Sequence, residues 1–138
     1  MIEYDLITYL EADATLDALL GAGVGGTKIM PVIPKEEPTS PYIVYSSSIG
    51  DNLDETLSED RVQLNIFASS MLVCTNVRNR LRILLDKQDE IQDTTFYTAS
   101  VDYFVYWSKL TAGDIIHDPD RRLYQCVMFF AVKYKNKV

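Results

Sequence analysis

From Tyr4 to Leu20 the apolar side chains Leu6, Ile7, Tyr9, Leu10, Leu16, Leu19 and Leu20 recur at three- and four-residue spacing. That is the period of a helix with one buried face. Gly21 is placed as its stop, because glycine takes the left-handed cap conformation without steric cost. Asp13 ahead of Ala14-Thr15-Leu16-Asp17 looks like a fresh N-cap, so two short helices broken near residue 13 are as consistent as one. A second helical stripe follows Ser69 and Ser70, with Met71, Cys74, Val77, Leu81, Leu84 and Leu85 on one face. Elsewhere the period changes to two. Val62, Leu64 and Ile66 alternate with Arg61, Gln63 and Asn65, as a half-buried antiparallel strand requires.

Tyr42 to Ser48, Thr94 to Trp107 and Leu123 to Tyr134 are rich in β-branched and aromatic residues and are expected as strands. In the last, Tyr124, Cys126, Met128, Phe130, Val132 and Tyr134 share one face. Gln125, Val127, Phe129, Ala131 and Lys133 share the other, so both faces are expected to be covered over the middle. Four of the five prolines fall between Pro31 and Pro41, which bars a helix or an internal ladder there and leaves an extended edge segment. The Gly21–Gly26 run leads through Thr27-Lys28-Ile29 into a strand instead of a helix, so it is a turn and not a phosphate cradle. Residues 49–60 carry five acidic side chains and no basic one, and are expected as a solvated loop or hairpin arm. Residues 108–122 show little pattern and are expected as a long loop. The sum is an α+β fold, a mostly antiparallel sheet against two helices with long loops or hairpin arms, in one domain spanning 1–138.

Charge and chemistry narrow the functional classes. A net charge of −7 repels phosphate backbones, so dedicated nucleic-acid binding is not expected. Arg78, Arg80 and Arg82 alternate along the second helix, point in different directions and form no stripe; they are expected as solvated surface. No stretch of 18 apolar residues occurs, and Met1-Ile2-Glu3-Tyr4-Asp5 is acidic where a secretory signal is basic. The expectation is a soluble chain made in the cytosol, with Cys74 and Cys126 as reduced apolar side chains and a disulfide as the alternative. His117 with Asp118 and Asp120 has the residue types of a metal-dependent hydrolase. Without a second histidine, Asp118-Pro119-Asp120 is better explained as a turn. No catalytic, cofactor-binding or metal-ligating residues are therefore expected.

The order of elements carries a resemblance. A short leading helix precedes Ile29-Met30-Pro31 and the proline-rich loop to Pro41-Tyr42-Ile43-Val44. The strand Val62-Gln63-Leu64-Asn65-Ile66-Phe67-Ala68-Ser69 then leads into the helix through Val77-Arg78-Asn79-Arg80-Leu81, and Asp102-Tyr103-Phe104 precedes the closing strand. Over residues 1 to 134 this resembles the tail-completion, or tail-terminator, proteins of long-tailed bacteriophages. The resemblance implies a non-enzymatic α+β subunit without cofactor that closes into a ring, commonly a hexamer. Its implied partners are further copies of itself, the major tail-tube protein and the head-completion or connector protein. Its implied place is the virion tail or neck, after synthesis in the host cytoplasm. Six copies at −7 each would carry about −42, a surround through which DNA passes without sticking and without specific binding. No membrane is implied. A head–tail connector adaptor of the same neck region is the near alternative; a hydrolase built on His117, Asp118 and Asp120 is the distant one. Assembly contacts are expected at apolar and acidic positions of the two long excursions: Asp51, Leu53, Asp54, Glu55, Leu57 and Glu59 in one, Leu110, Ile115 and Ile116 in the other.

Overall fold

The computed structural model describes residues 3–21, 28–31, 41–52, 58–86, 103–119 and 122–136. The glycine run from residue 22, the proline-rich loop 32–40 and residues 94–102 lie outside them. In chain order the elements are α1 (Glu3–Glu11), α2 (Ala14–Leu20), β1 (Ile29–Met30), β2 (Tyr42–Asn52), β3 (Ser58–Ala68), α3 (Met71–Leu85), β4 (Tyr103–Asp118) and β5 (Leu123–Asn136). The strands form one five-stranded sheet in the order β1-β2-β3-β5-β4. Its pairs are antiparallel except β1 with β2, which run parallel from Ile29 opposite Ile43. This is the expected α+β arrangement, with the leading segment resolved into two short helices.

The break between α1 and α2 falls where the sequence placed a cap. Asp13 is extended and its carboxylate accepts from the Leu16 N–H at 2.8 Å, satisfying one of the donors a helix start leaves free. Gly21 closes α2 at φ 65°, a left-handed value that costs a residue with a Cβ. Lys28 Nζ then donates to the Leu20 carbonyl at 2.8 Å, and the Lys28 carbonyl accepts from Ile43 N. One residue thus caps a helix end and starts the edge of the sheet. Burial pulls its ammonium below the usual lysine range.

All three helices lie on one face of the sheet. Leu6, Leu10, Leu16 and Leu20 of α1 and α2 join Cys74, Val77, Leu81 and Leu85 of α3 in a single core. From the sheet come Ile43, Val62, Leu64, Ile66, Cys126, Met128, Phe130 and Val132. The two-residue period of β3 and β5 holds on this side in full. The carbonyls at the end of α3 tie it to both layers: Tyr9 Oη of α1 donates to Leu84 O at 3.3 Å, and the buried Ser108 hydroxyl of β4 donates to Leu85 O. Asp86, the residue after the helix, accepts from Leu110 N at 3.2 Å. On the opposite face Tyr42 stacks on Phe67, with ring centroids 5.1 Å apart, in a smaller cluster with Val44 and Leu123.

Several expectations are corrected here. The stretch expected as a loop over 108–122 is largely strand: 108–118 continue β4, which pairs with β5 down to Asp118 opposite Leu123, and residues 120–121 lie outside the described residues. Register shifts between Val105 and Trp107, and between Leu110 and Ala112, break the alternation that would have marked the strand. Gly113, where a Cβ would come 3.3 Å from the Val127 carbonyl, adds a further break in pattern. The acidic 49–60 stretch, expected as a solvated loop or hairpin arm, pairs as a strand ladder from Ile49 opposite Asp60 to Asn52 opposite Ser58; residues 53–57 lie outside the described part. Asp60 is not solvated but buried, and takes a hydrogen bond from Tyr134 Oη at 2.9 Å. The outer face of β5 is only partly covered in the middle, since Ala131 is buried but Phe129 is 40% exposed.

Candidate functional site

Among the described residues no group of three or more His, Cys, Asp or Glu side chains is placed to hold a metal ion. His117 is a strand residue, not part of a turn. It sits opposite Tyr124 in the β4–β5 ladder, and the two rings lie tilted at 40° to each other with centroids 4.6 Å apart. Asp118 ends β4, and Asp120 lies outside the described residues. Among the described residues, exposed apolar surface lies in two places.

The first is the outward side of α3. At 100° per residue the buried positions Cys74, Val77, Leu81, Leu84 and Leu85 share one sector, while Leu72 and Ile83 fall on the far side. They are 68% and 58% exposed and lie on one line about 16 Å apart, from the helical rise. Met71, expected on the buried stripe, lies about a quarter-turn off it and is exposed as well. The arginines of this helix are not all solvated. Arg80 makes a two-pronged bond to Asp13, Nη2 to Oδ1 at 2.6 Å and Nε to Oδ2 at 2.9 Å, fixing the α1–α2 corner against α3. The Arg80 hydrogen bond holds the Asp13 carboxyl below its usual range. Arg78 has its Nε buried without a hydrogen-bond partner. Of the three, only Arg82 is exposed.

The second is the outer face of the sheet. Phe129 borders a groove of about 330 Å³ with Glu59, Arg61, Thr111 and Ala131. The bulge residue Thr111 is held by a hydrogen bond from its hydroxyl to the Phe129 carbonyl at 3.1 Å. Glu59 opposes Lys133 and Arg61 opposes Ala131, so the rim is charged and the floor apolar. Toward the hairpin tip Ile116, on this same side, is 52% exposed.

The sequence-predicted contact residues divide accordingly. Glu59 lines the groove beside Phe129, and Ile116 is on the same outer face toward the hairpin tip. Leu110 and Ile115 turn inward and pack, half-buried, against the main core. Asp51 is in β2, and Leu53, Asp54, Glu55 and Leu57 lie outside the described residues. Leu72, Ile83 and Phe129 were missed. For the two helix residues a signal existed, since they stand opposite the leucine stripe; Phe129 offered none, because an uncovered outer face cannot be told from a covered one by alternation.

No family model matches the chain, and no curated protein does. Among solved structures it is similar to a chain described as "Virion of native gene transfer agent (GTA) particle". The TM-score is 0.70 at 13% identity, over 94% of this chain and 91% of that one. The two share a fold over nearly their whole lengths. Among the described residues no helix is long and apolar enough to cross a membrane.

Proposed function

We propose that this chain is a structural subunit of a phage-like virion, without enzymatic activity, that closes the end of a tail tube as a ring and forms the joint to the head connector. The observation that carries this reading is the shared fold with a chain of a gene transfer agent virion over 94% of this sequence. The finer role rests on the tail-terminator resemblance of the element order. Exposed apolar residues on two opposite sides of one small domain suit a subunit that meets a neighbour on each side. Its partners are then further copies of itself, most simply six, the tail-tube protein on one ring face and a head-completion protein on the other. DNA passes the acidic lumen without specific binding.

The test is electron microscopy of tails assembled with and without the purified protein, alongside light scattering across concentrations. The expected result is a ring at one end of tubes of uniform length, with overlong or uncapped tubes in its absence. Tubes of normal length that never carry the protein would refute the role. A subunit found instead on isolated head connectors would favour the adaptor alternative.

A further inference from the structure

The outer face of the sheet gathers positive charge in a chain whose sum is −7. Arg61 of β3 and Lys109 of β4 both stand opposite Ala131 of β5, one on each side. Neighbouring strands run about 4.8 Å apart, so the two cations flank one small side chain at about 10 Å from each other. Lys133 follows two positions on along β5 and shares the face, with Glu59 opposite it. Arg61 and Lys109 are exposed, and neither makes an ion pair among the described residues. Arg61 and Ala131 also line the groove beside Phe129, so an apolar recess and a cationic row lie together.

The helix layer carries the opposite charge. From Glu3 to Leu20, α1, α2 and their junction hold Glu3, Asp5, Glu11, Asp13 and Asp17 and no Lys or Arg. Arg80 offsets Asp13. Glu11 is exposed and Asp17 half-buried, and the charges of Asp13 and Glu11 add to burial in raising the Asp17 carboxyl. In the same layer the outward side of α3 presents Leu72 and Ile83. One layer therefore supplies both acidic groups for a cationic row and apolar groups for a recess.

We propose that the outer face of the sheet is the docking surface for a second copy of this chain, which sets its acidic α1–α2 corner against Arg61 and Lys109. This rests on the reading of the chain as a ring-forming subunit, and it names the contact: helix layer of one copy on sheet of the next. Charge decides which face finds which. Two helix layers brought together set acid against acid, and two sheet faces set cation against cation, so the two-fold pairings are opposed and the head-to-tail one is favoured. A nucleic acid would meet the same cations, but the remaining surface of an acidic chain repels its phosphates.

The experiment reverses each side and then mixes the two. One variant carries Glu11→Lys and Asp17→Lys, the other Arg61→Glu and Lys109→Glu. These side chains are exposed or half-buried, so both variants should fold, with thermal melts as the control. Self-association is read by sedimentation and light scattering. Each variant alone sets like charge against like and should associate at least about tenfold more weakly than the wild type. In an equal mixture every altered face finds a matching one on the other variant. Assemblies should return, with the two chains in equal numbers by native mass spectrometry. Raising salt from about 0.05 M to about 0.5 M should weaken wild-type association, because exposed charges are screened; this measurement decides the matter even if a variant fails to fold. A wild type that stays monomeric would overturn the proposal, as would association that salt leaves unchanged. So would folded variants that assemble alone, or that fail to recover when mixed. Wild-type chain that stays monomeric but retains duplex DNA, through Arg61 and Lys109, would assign the face to phosphate instead. Wild-type assemblies that obey the charge rule yet leave tail tubes uncapped would refute the virion role and keep the contact. Tubes capped by each reversed variant alone would do the opposite.

Discussion

Asp13 holds a helix start and an inter-helix bond with one carboxylate, and its protonation should therefore be visible in stability. Its pKa in the folded chain lies below the ordinary 3.8, chiefly through the Arg80 hydrogen bond and with help from the Leu16 N–H, against burial. A carboxylate depressed by folding contributes fully above its unfolded pKa, and the contribution is lost as pH falls from about 3.8 toward the folded value. Asp17 works the other way: burial, with the charges of Asp13 and Glu11, raises it, so a wild-type profile mixes both. Comparison with a variant isolates Asp13. Asp13→Ala removes the cap and the ion pair and should lose about 1–2 kcal/mol at pH 7, a deficit that shrinks below pH 3.8. Asp13→Asn keeps a capping oxygen and should lose less. Urea melts at neutral and acid pH check this; a deficit independent of pH would mean the carboxylate charge does nothing.

At the scale of elements, α3 is the piece that joins the two layers, and Leu81 is at its centre. Fully buried among helix and sheet residues, it should cost about 2–5 kcal/mol when cut to alanine. A denaturant-measured change below about 0.5 kcal/mol, the scale of surface substitutions, would contradict its burial. This helix was legible in the sequence because five of the six predicted stripe residues kept one period, and only Met71 at its edge was misplaced. β3 and the inner face of β5 were legible for the same reason with a period of two. β4 was not, and the cause is local. Bulges near Tyr106 and Thr111 shift the side chains that follow to the other face, and Gly113 removes one altogether, so no window shows clean alternation. The Arg80–Asp13 bond spans 67 positions. No local pattern encodes such a contact, and the arginines were accordingly taken for solvated surface.

At the scale of the whole molecule, the two exposed apolar patches lie on opposite sides of a two-layer fold. Leu72 and Ile83 are on the outward side of the helix layer, and Phe129 and Ile116 are on the outer face of the sheet. A two-fold dimer uses one patch against its own copy, whereas a ring needs two different patches that fit each other head to tail. The distinction yields a test by mixing. Leu72→Asp breaks only the helix patch; the residue is 68% exposed, so the fold should lose less than about 0.5 kcal/mol. Phe129→Thr breaks only the sheet patch and, because the ring is part-buried, should cost about 1–2 kcal/mol. If the contact runs from helix patch to sheet patch, neither variant closes a ring alone. An equal mixture should form one-to-one dimers and stop there, because each dimer retains one intact contact and presents only broken patches outside. Light scattering of each variant and of the mixture, with thermal melts as a folding control, reads this directly. Rings formed by either folded variant would remove that patch from the assembly, and a mixture that stays monomeric while the wild type forms rings would rule out a helix-to-sheet contact.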